Sequence, residues 1–260
     1  MKTIIKTLFF LFPAFCSFSQ ELFHPELRPY LDEADAPFYF GVASGDPHPD
    51  GVVIWTKIFP ATAGQQEVAW EVAADTAMLG VVQRGTFQTN AASAYTVKVE
   101  VKNLLPGTVY FYRFSNGGTY SPIGRTRTAP AGDPGLLRLA VVSCADYQSG
   151  HYNAFGDIAR RSDLDAVVHL GDYIYEYGVW RGGRRRMMKS RLREHIPDKV
   201  CTDLKDYRTR YAQYRTDPQL MEAHRLHPFI VIWDDHEVAN DSHVAGTAAK
   251  PDGGESLEMQ

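Results

Sequence analysis

Three short apolar runs in this chain each end in residues that bind metals or move protons. Leu139 to Val142 leads into Ser143 and Cys144. Ala166 to Leu170 leads through Gly171 to Asp172, with Tyr175 three residues further on. Phe229 to Trp233 leads into Asp234, Asp235, His236 and Glu237. Apolar runs of this length, bounded by glycine or polar residues, read as buried strands. In open α/β sheets the reactive groups collect just past the carboxyl ends of the strands. One rim would then present a thiol, a carboxylate, a phenol and an acid beside an imidazole. Thiolate and phenolate together suit a strongly Lewis-acidic ion, because a free tyrosine ionises only at about 10. Trivalent iron meets that requirement. A second, divalent ion sharing Asp172 is expected at Asp235, and a hydroxide between the two metals is then the nucleophile of an in-line attack.

The same residue types also have structural uses. Cys144 can pack as a buried thiol or pair with Cys201, and Asp172 and Asp235 can cap helices. His169 lies inside a strand run and reads as a satisfied core histidine rather than a ligand. An acid pair of Asp234 and Asp235 working without metal is disfavoured, because neighbours on a strand point to opposite faces.

The elements that must carry these residues follow from the rest of the chain. With 44% hydrophobic and 22% charged residues, the 260-residue sequence has material for a core and no bias to disorder. Its net charge of -4 gives no overall pull toward nucleic acid or anionic membrane, so any phosphate recognition must be local. No specific nucleic-acid-binding motif is present. Residues 1–19 read as an export signal, with Lys2 and Lys6, the apolar Leu8 to Phe12, and small Ser17 and Ser19 in the order such signals use. The expected protein is exported, to periplasm, cell surface or medium, with no transmembrane segment after cleavage.

From 36 to 130 the pattern is short strands separated by turns, notably Val52 to Trp55, Val68 to Ala73 and Tyr95 to Val101, which suggests a β-sandwich. Leu104 to Tyr110 is similar to a tyrosine corner of immunoglobulin-like and fibronectin type III domains, and Tyr110, Trp55 and Trp70 read as packing aromatics. Residues 129–135, rich in proline and glycine, read as a linker. Beyond it, from 136 to 260, strand and helix alternate, implying a parallel sheet. Helices are expected over 152–161 and about 203–215, the latter amphipathic through Leu204, Tyr207, Tyr211 and Tyr214 with Arg208 and Arg210 on its other faces. A third begins at Asp217 and Pro218. Arg181 to Arg193 is a basic stretch that reads as a solvated loop, with phosphate recruitment as its sharper use. The fold class is α/β plus β.

Six motifs occur in order: Val42 to Pro47, Gly124 to Pro130, Ser143 with Cys144, His169 to Tyr177, Asp206 to Tyr211, and Trp233 to Val238. Together they resemble the PhoD-like alkaline phosphatase D family within the calcineurin-like metallophosphoesterases, over about residues 38–242. The resemblance implies a four-layer αββα metallophosphoesterase domain that hydrolyses phosphate mono- or diesters. It implies Cys144 and Tyr175 as iron ligands and Asp172 as the carboxylate bridging iron to calcium. Asp235 would bind the second ion, which other divalent cations also suit. His236 would protonate or stabilise the leaving group, and Asp234 would orient Asp235 or His236. In that family a second half supplies further ligands, yet nothing after Ser242 reads as a strand run, so the chain is expected to hold only the first part of the domain. A competing expectation is a non-catalytic secreted protein whose β-sandwich is a binding module.

Overall fold

The structure is a computed structural model that describes residues 25–179 and 193–242. The export signal at 1–19, most of the basic stretch from Arg181 and the polar tail from 246 lie outside the described residues.

Eight strands come first: β1 Val42–His48, β2 Gly51–Lys57, β3 Gln66–Ala73, β4 Val81–Thr89, β5 Thr96–Lys102, β6 Val109–Asn116, β7 Thr119–Tyr120 and β8 Gly124–Arg127. Their alternation decides which face is buried. On β5 Val97 and Val101 turn inward while Lys98, Glu100 and Lys102 stay exposed, and on β6 Tyr110, Tyr112 and Phe114 are buried. These residues meet Val42, Val52, Ile54, Val68 and Val72 in one core shared by two sheets. The tyrosine corner forms as its residues imply, with the backbone N–H of Leu105 donating to the Tyr110 hydroxyl at 2.9 Å. Trp70 packs partly buried against this core. Trp55, half-buried, packs against a smaller core cluster of Leu27, Phe40 and Ala212.

Three more strands follow, β9 Leu139–Val142, β10 Ala166–His169 and β11 Pro228–Val231, together with helices α1 Asn153–Arg160, α2 Leu204–Tyr214 and α3 Pro218–Leu226. The expected linker does not separate two sheets. One six-stranded sheet runs β5-β2-β1-β11-β10-β9, antiparallel among its first three strands and parallel from β1 onward. Gly45 permits the join, since a Cβ there would meet the Phe229 carbonyl oxygen at 2.7 Å. The second sheet runs β4-β3-β6-β7, with β8 also on β6. In the parallel part Val142 pairs with His169 and His169 with Val231, so all three strands end at one level. That register forms the rim expected from the sequence.

Helices cover one face of β9–β11, where Phe155, Ile158, Leu220 and Ala223 pack with Val167 and Phe229. The opposite face exposes Leu139, Val141, Leu170, Ile230 and Ile232, a patch of the kind that marks an interaction surface. Of the expected four layers, the described residues show this one parallel sheet and one helical layer. Asp217 caps α3 through the N–H groups of Gln219 and Leu220, with Pro218 at the first helical position where its missing N–H costs nothing.

Two expectations about side chains fail. Arg210 is not on an outer face of α2 but is fully buried, while Leu204 is 63% exposed. The buried face of α2 is polar because Arg210 serves loop carbonyls: it donates to Ile196 O at 3.1 Å, Tyr177 O at 2.7 Å and Pro197 O at 2.9 Å, and also to Tyr175 O. His169 is buried as expected, between Phe155 and Tyr173, but neither ring nitrogen has a partner among the described residues.

Candidate metal centre

Beyond the level strand ends the chain turns sharply. Cys144 and Asp172 adopt left-handed backbone conformations, φ 58° and 53°, and Gly171 lies between strand and acid at φ 95°. Non-glycine residues held there cost of order 1–3 kcal/mol and cluster at functional sites. At Gly171 a Cβ would come within 2.4 Å of the Asp234 backbone nitrogen, so the two acid-bearing loops touch through the missing side chain. Cys144 N–H donates to Gly171 O at 3.2 Å and Ala145 N–H to Asp172 O at 2.9 Å, which ties the thiol's loop to the same turn.

On this frame five side chains converge. The Cys144 thiol donates to Asp172 Oδ2 at 3.4 Å, and the Tyr175 hydroxyl donates to the same oxygen at 3.1 Å. Asp172 Oδ1 is buried with no hydrogen-bond partner among the described residues. Ligand atoms of Asp172, Asp235 and His236 all lie within 4.8 Å of one another. The His236 ring packs on Tyr175, with centroids 4.2 Å apart. Its Nδ1 is 2.8 Å from Glu176 Oε2 and its Nε2 is 3.3 Å from the Tyr177 hydroxyl. Asp235 Oδ2 accepts the N–H of Asp241.

Burial, then the Asp172 carboxylate and the Cys144 thiol, push the Tyr175 phenol far above its ordinary range. Tyr177 is raised likewise, by burial and then Glu176 and Asp235. Burial alone would lower His236, but its hydrogen bond to Glu176 and the nearby charges of Glu176, Asp172 and Asp235 outweigh that and raise it. Cys144, Asp172 and Tyr175, each anionic when ionised, therefore crowd one point that only protons or a cation can neutralise. The orphaned Asp172 Oδ1 aims another lone pair at the need. The donor set fits a strongly Lewis-acidic ion on the thiol–phenol side and an oxygen-liking ion toward Asp235.

The three tyrosines part ways. Tyr173 turns into the core, its hydroxyl 2.9 Å from His224 Nε2, and Tyr177 goes to His236, leaving Tyr175 alone on Asp172. Cys144 is exposed and Cys201 buried, and both are free thiols. Asp234 is exposed and makes no side-chain hydrogen bond to Asp235 or His236 among the described residues. Orientation falls instead to two acids inside the sequence motifs that had been given no role. Glu176 takes His236 Nδ1 and also accepts Asn240 N–H at 2.8 Å. Buried Glu237 accepts the backbone N–H groups of Asp172 at 3.1 Å, Asp234 at 2.8 Å and Tyr173. The available signal was an acid beside each aromatic or imidazole, in Tyr175-Glu176-Tyr177 and His236-Glu237.

Family models match both parts of the chain. One described as "PhoD-like phosphatase, N-terminal domain" covers residues 26–130, and one described as "PhoD-like phosphatase" covers 139–258. The chain is 43% identical over 216 residues to alkaline phosphatase D of Bacillus subtilis strain 168, covering 79% of this chain and 36% of that protein. A solved structure of PhoD aligns with a TM-score of 0.72 at 40% identity, covering 85% of this chain and 43% of that one. The chain thus spans about two fifths of the length of these relatives.

Proposed function

The chain belongs to the PhoD-like phosphatase family, and from that premise we propose that it hydrolyses phosphate mono- or diesters at a metal centre held by Cys144, Asp172, Tyr175 and Asp235. The single observation that carries this reading is the convergence of those groups from three level strand ends around a buried, unpartnered carboxylate oxygen. Cys144 and Tyr175 would suit iron, and the oxygens of Asp172 and Asp235 would suit calcium, by the softness and charge of each donor set. What bound cations supply here is Lewis acidity toward water and phosphoryl oxygen.

The remaining work belongs to the protein. Glu176 accepts at Nδ1 of His236, which leaves Nε2 as the atom that delivers a proton to the departing alkoxide, and the raised affinity of this ring for protons favours the acid form. Cys144 and Tyr175 give up their protons where positive charge replaces them. Glu237 holds the turn that fixes Asp172. Export of the chain belongs to the same proposal and rests on the order of residues at 1–19. No helix among the described residues is long and apolar enough to cross a membrane.

Elemental mass spectrometry of the purified chain, with Asp172→Ala alongside, tests the reading. About one iron per chain, lost in the variant together with hydrolysis of nitrophenyl phosphate and bis-nitrophenyl phosphate, is the expected result. A folded chain that holds neither iron nor calcium and cleaves neither ester would overturn it.

A further inference from the structure

Three consecutive residues enclose the His236 ring. Tyr175 packs on its face, with centroids 4.2 Å apart, Glu176 Oε2 lies 2.8 Å from Nδ1, and the Tyr177 hydroxyl lies 3.3 Å from Nε2. The Tyr177 ring stands edge-on to the imidazole, at 75° with centroids 5.1 Å apart. Their backbone is pinned as well. Arg210 donates to the carbonyls of Tyr175 and Tyr177, and the N–H of Cys201 donates to Glu176 O at 2.8 Å. Tyr175 bears on Asp172 and Glu176 fixes one ring nitrogen, whereas Tyr177 reaches the nitrogen that must deliver the proton.

The direction of the Tyr177 contact follows from its other partner. An ionised carboxylate only accepts, so the amide atom of Asn240 that faces Asp241 Oδ2 at 2.8 Å is its NH2 group. Asn240 Oδ1 is thereby turned to the Tyr177 hydroxyl, which donates to it at 3.1 Å. A phenol has one proton to give. With that proton committed to Asn240, Tyr177 offers Nε2 a lone pair. The backbone of Asn240 closes the circuit: its N–H donates to Glu176 Oε1 at 2.8 Å, so the acid that takes Nδ1 also anchors the residue that orients Tyr177. His236 is 8% exposed, and it is held at both nitrogens and on one face.

We propose that Tyr177 is a positioning residue for proton delivery: oriented by Asn240, its oxygen receives the Nε2 side of His236 and fixes the line along which the ring protonates the departing oxygen. The proposal rests on the reading of His236 as the acid for the leaving group. In that step the Nε2–H bond breaks, the departing oxygen keeps the electron pair of its bond to phosphorus and gains the proton, and Tyr177 keeps its own proton on Asn240. A proton matters most to a leaving group that is a strong base. Alkyl and phenyl esters therefore depend on this alignment more than nitrophenyl esters do.

Tyr177→Phe keeps the aromatic ring and removes only the hydroxyl. In the full chain supplied with iron and calcium, its kcat is expected to fall at least about tenfold more for phenyl phosphate than for 4-nitrophenyl phosphate, with KM for both held within about twofold. Asn240→Ala leaves the hydroxyl without its acceptor and should shift the same ratio in the same direction. A second readout needs no turnover. In long-range proton–nitrogen NMR spectra of the metal-free chain, the His236 Nε2 resonance should move in Tyr177→Phe by more than that of Nδ1, which stays on Glu176. An Nε2 resonance that does not move overturns the proposal by removing the contact, and equal losses with the two esters overturn it by making Tyr177 a packing residue. A wild type that cleaves neither ester overturns the metal-centre reading and the proton-delivery role with it, and the Nε2 shift separates that outcome from a missing contact.

Discussion

At Glu237 one buried carboxylate accepts N–H groups from two loops, those of Asp172 with Tyr173 and of Asp234. It is therefore the clasp between the strand ends that deliver Asp172 and Asp235. Replacing it by glutamine keeps the volume but puts an NH2 group where an acceptor is needed, leaving buried donors unmatched. Glu237→Gln is expected to cost about 1–3 kcal/mol in urea unfolding and to weaken metal retention measured by elemental analysis. The exposed Asp234 makes the contrast: Asp234→Ala is expected to shift stability by less than about 0.5 kcal/mol. Equal effects of the two substitutions would show that Glu237 is not the clasp.

At the scale of elements, α2 is the support behind the turn that carries Asp172 and Tyr175. Its last residue, Tyr214, is fully buried, and its hydroxyl accepts the N–H of Tyr147 at 3.1 Å and of Tyr175 at 3.2 Å while facing His195 Nε2 at 3.0 Å. Tyr214→Phe removes only that oxygen. It should cost about 1–3 kcal/mol and speed hydrogen exchange at the amides of Tyr147 and Tyr175, as seen by NMR, more than at amides of β3 and β6. The helix itself was legible from the spacing of Tyr207, Tyr211 and Tyr214, as were the strand runs that deliver Cys144, Asp172 and Asp235. Each is a local pattern. Burial of Arg210 was not legible, because a guanidinium is almost never fully buried unless partners demand it, and its partners are carbonyls of loops far along the chain. The pairing of β1 with β11 escaped for the same reason: Ser44 and Pro228 meet from far apart in the chain, and only the absent side chain of Gly45 hints at a close approach.

Over the whole molecule, buried histidines tie the helical layer to the sheet and make the fold sensitive to acid. Burial lowers His169 from 6.5 to about 4, lowers His195 to about 3 with help from Arg210, and lowers His224 and His227 as well. Below the unfolded value near 6.5 the unfolded chain takes up protons that the native state refuses, so stability falls as pH drops toward 4, with His169 alone contributing of order 1–3 kcal/mol over that range. Above pH 7 these rings are neutral in both states and contribute no slope. His169 gives the cleanest case, since its ring nitrogens make no hydrogen bond that a substitution would break. Urea unfolding of the wild type and His169→Leu, followed from pH 7.5 to 4.5, should diverge on the acid side, with the variant losing less stability per pH unit. Curves that stay parallel across this range would mean that His169 already titrates normally in the native state. The acid limb would then belong to the other three rings or to the carboxylates of the rim.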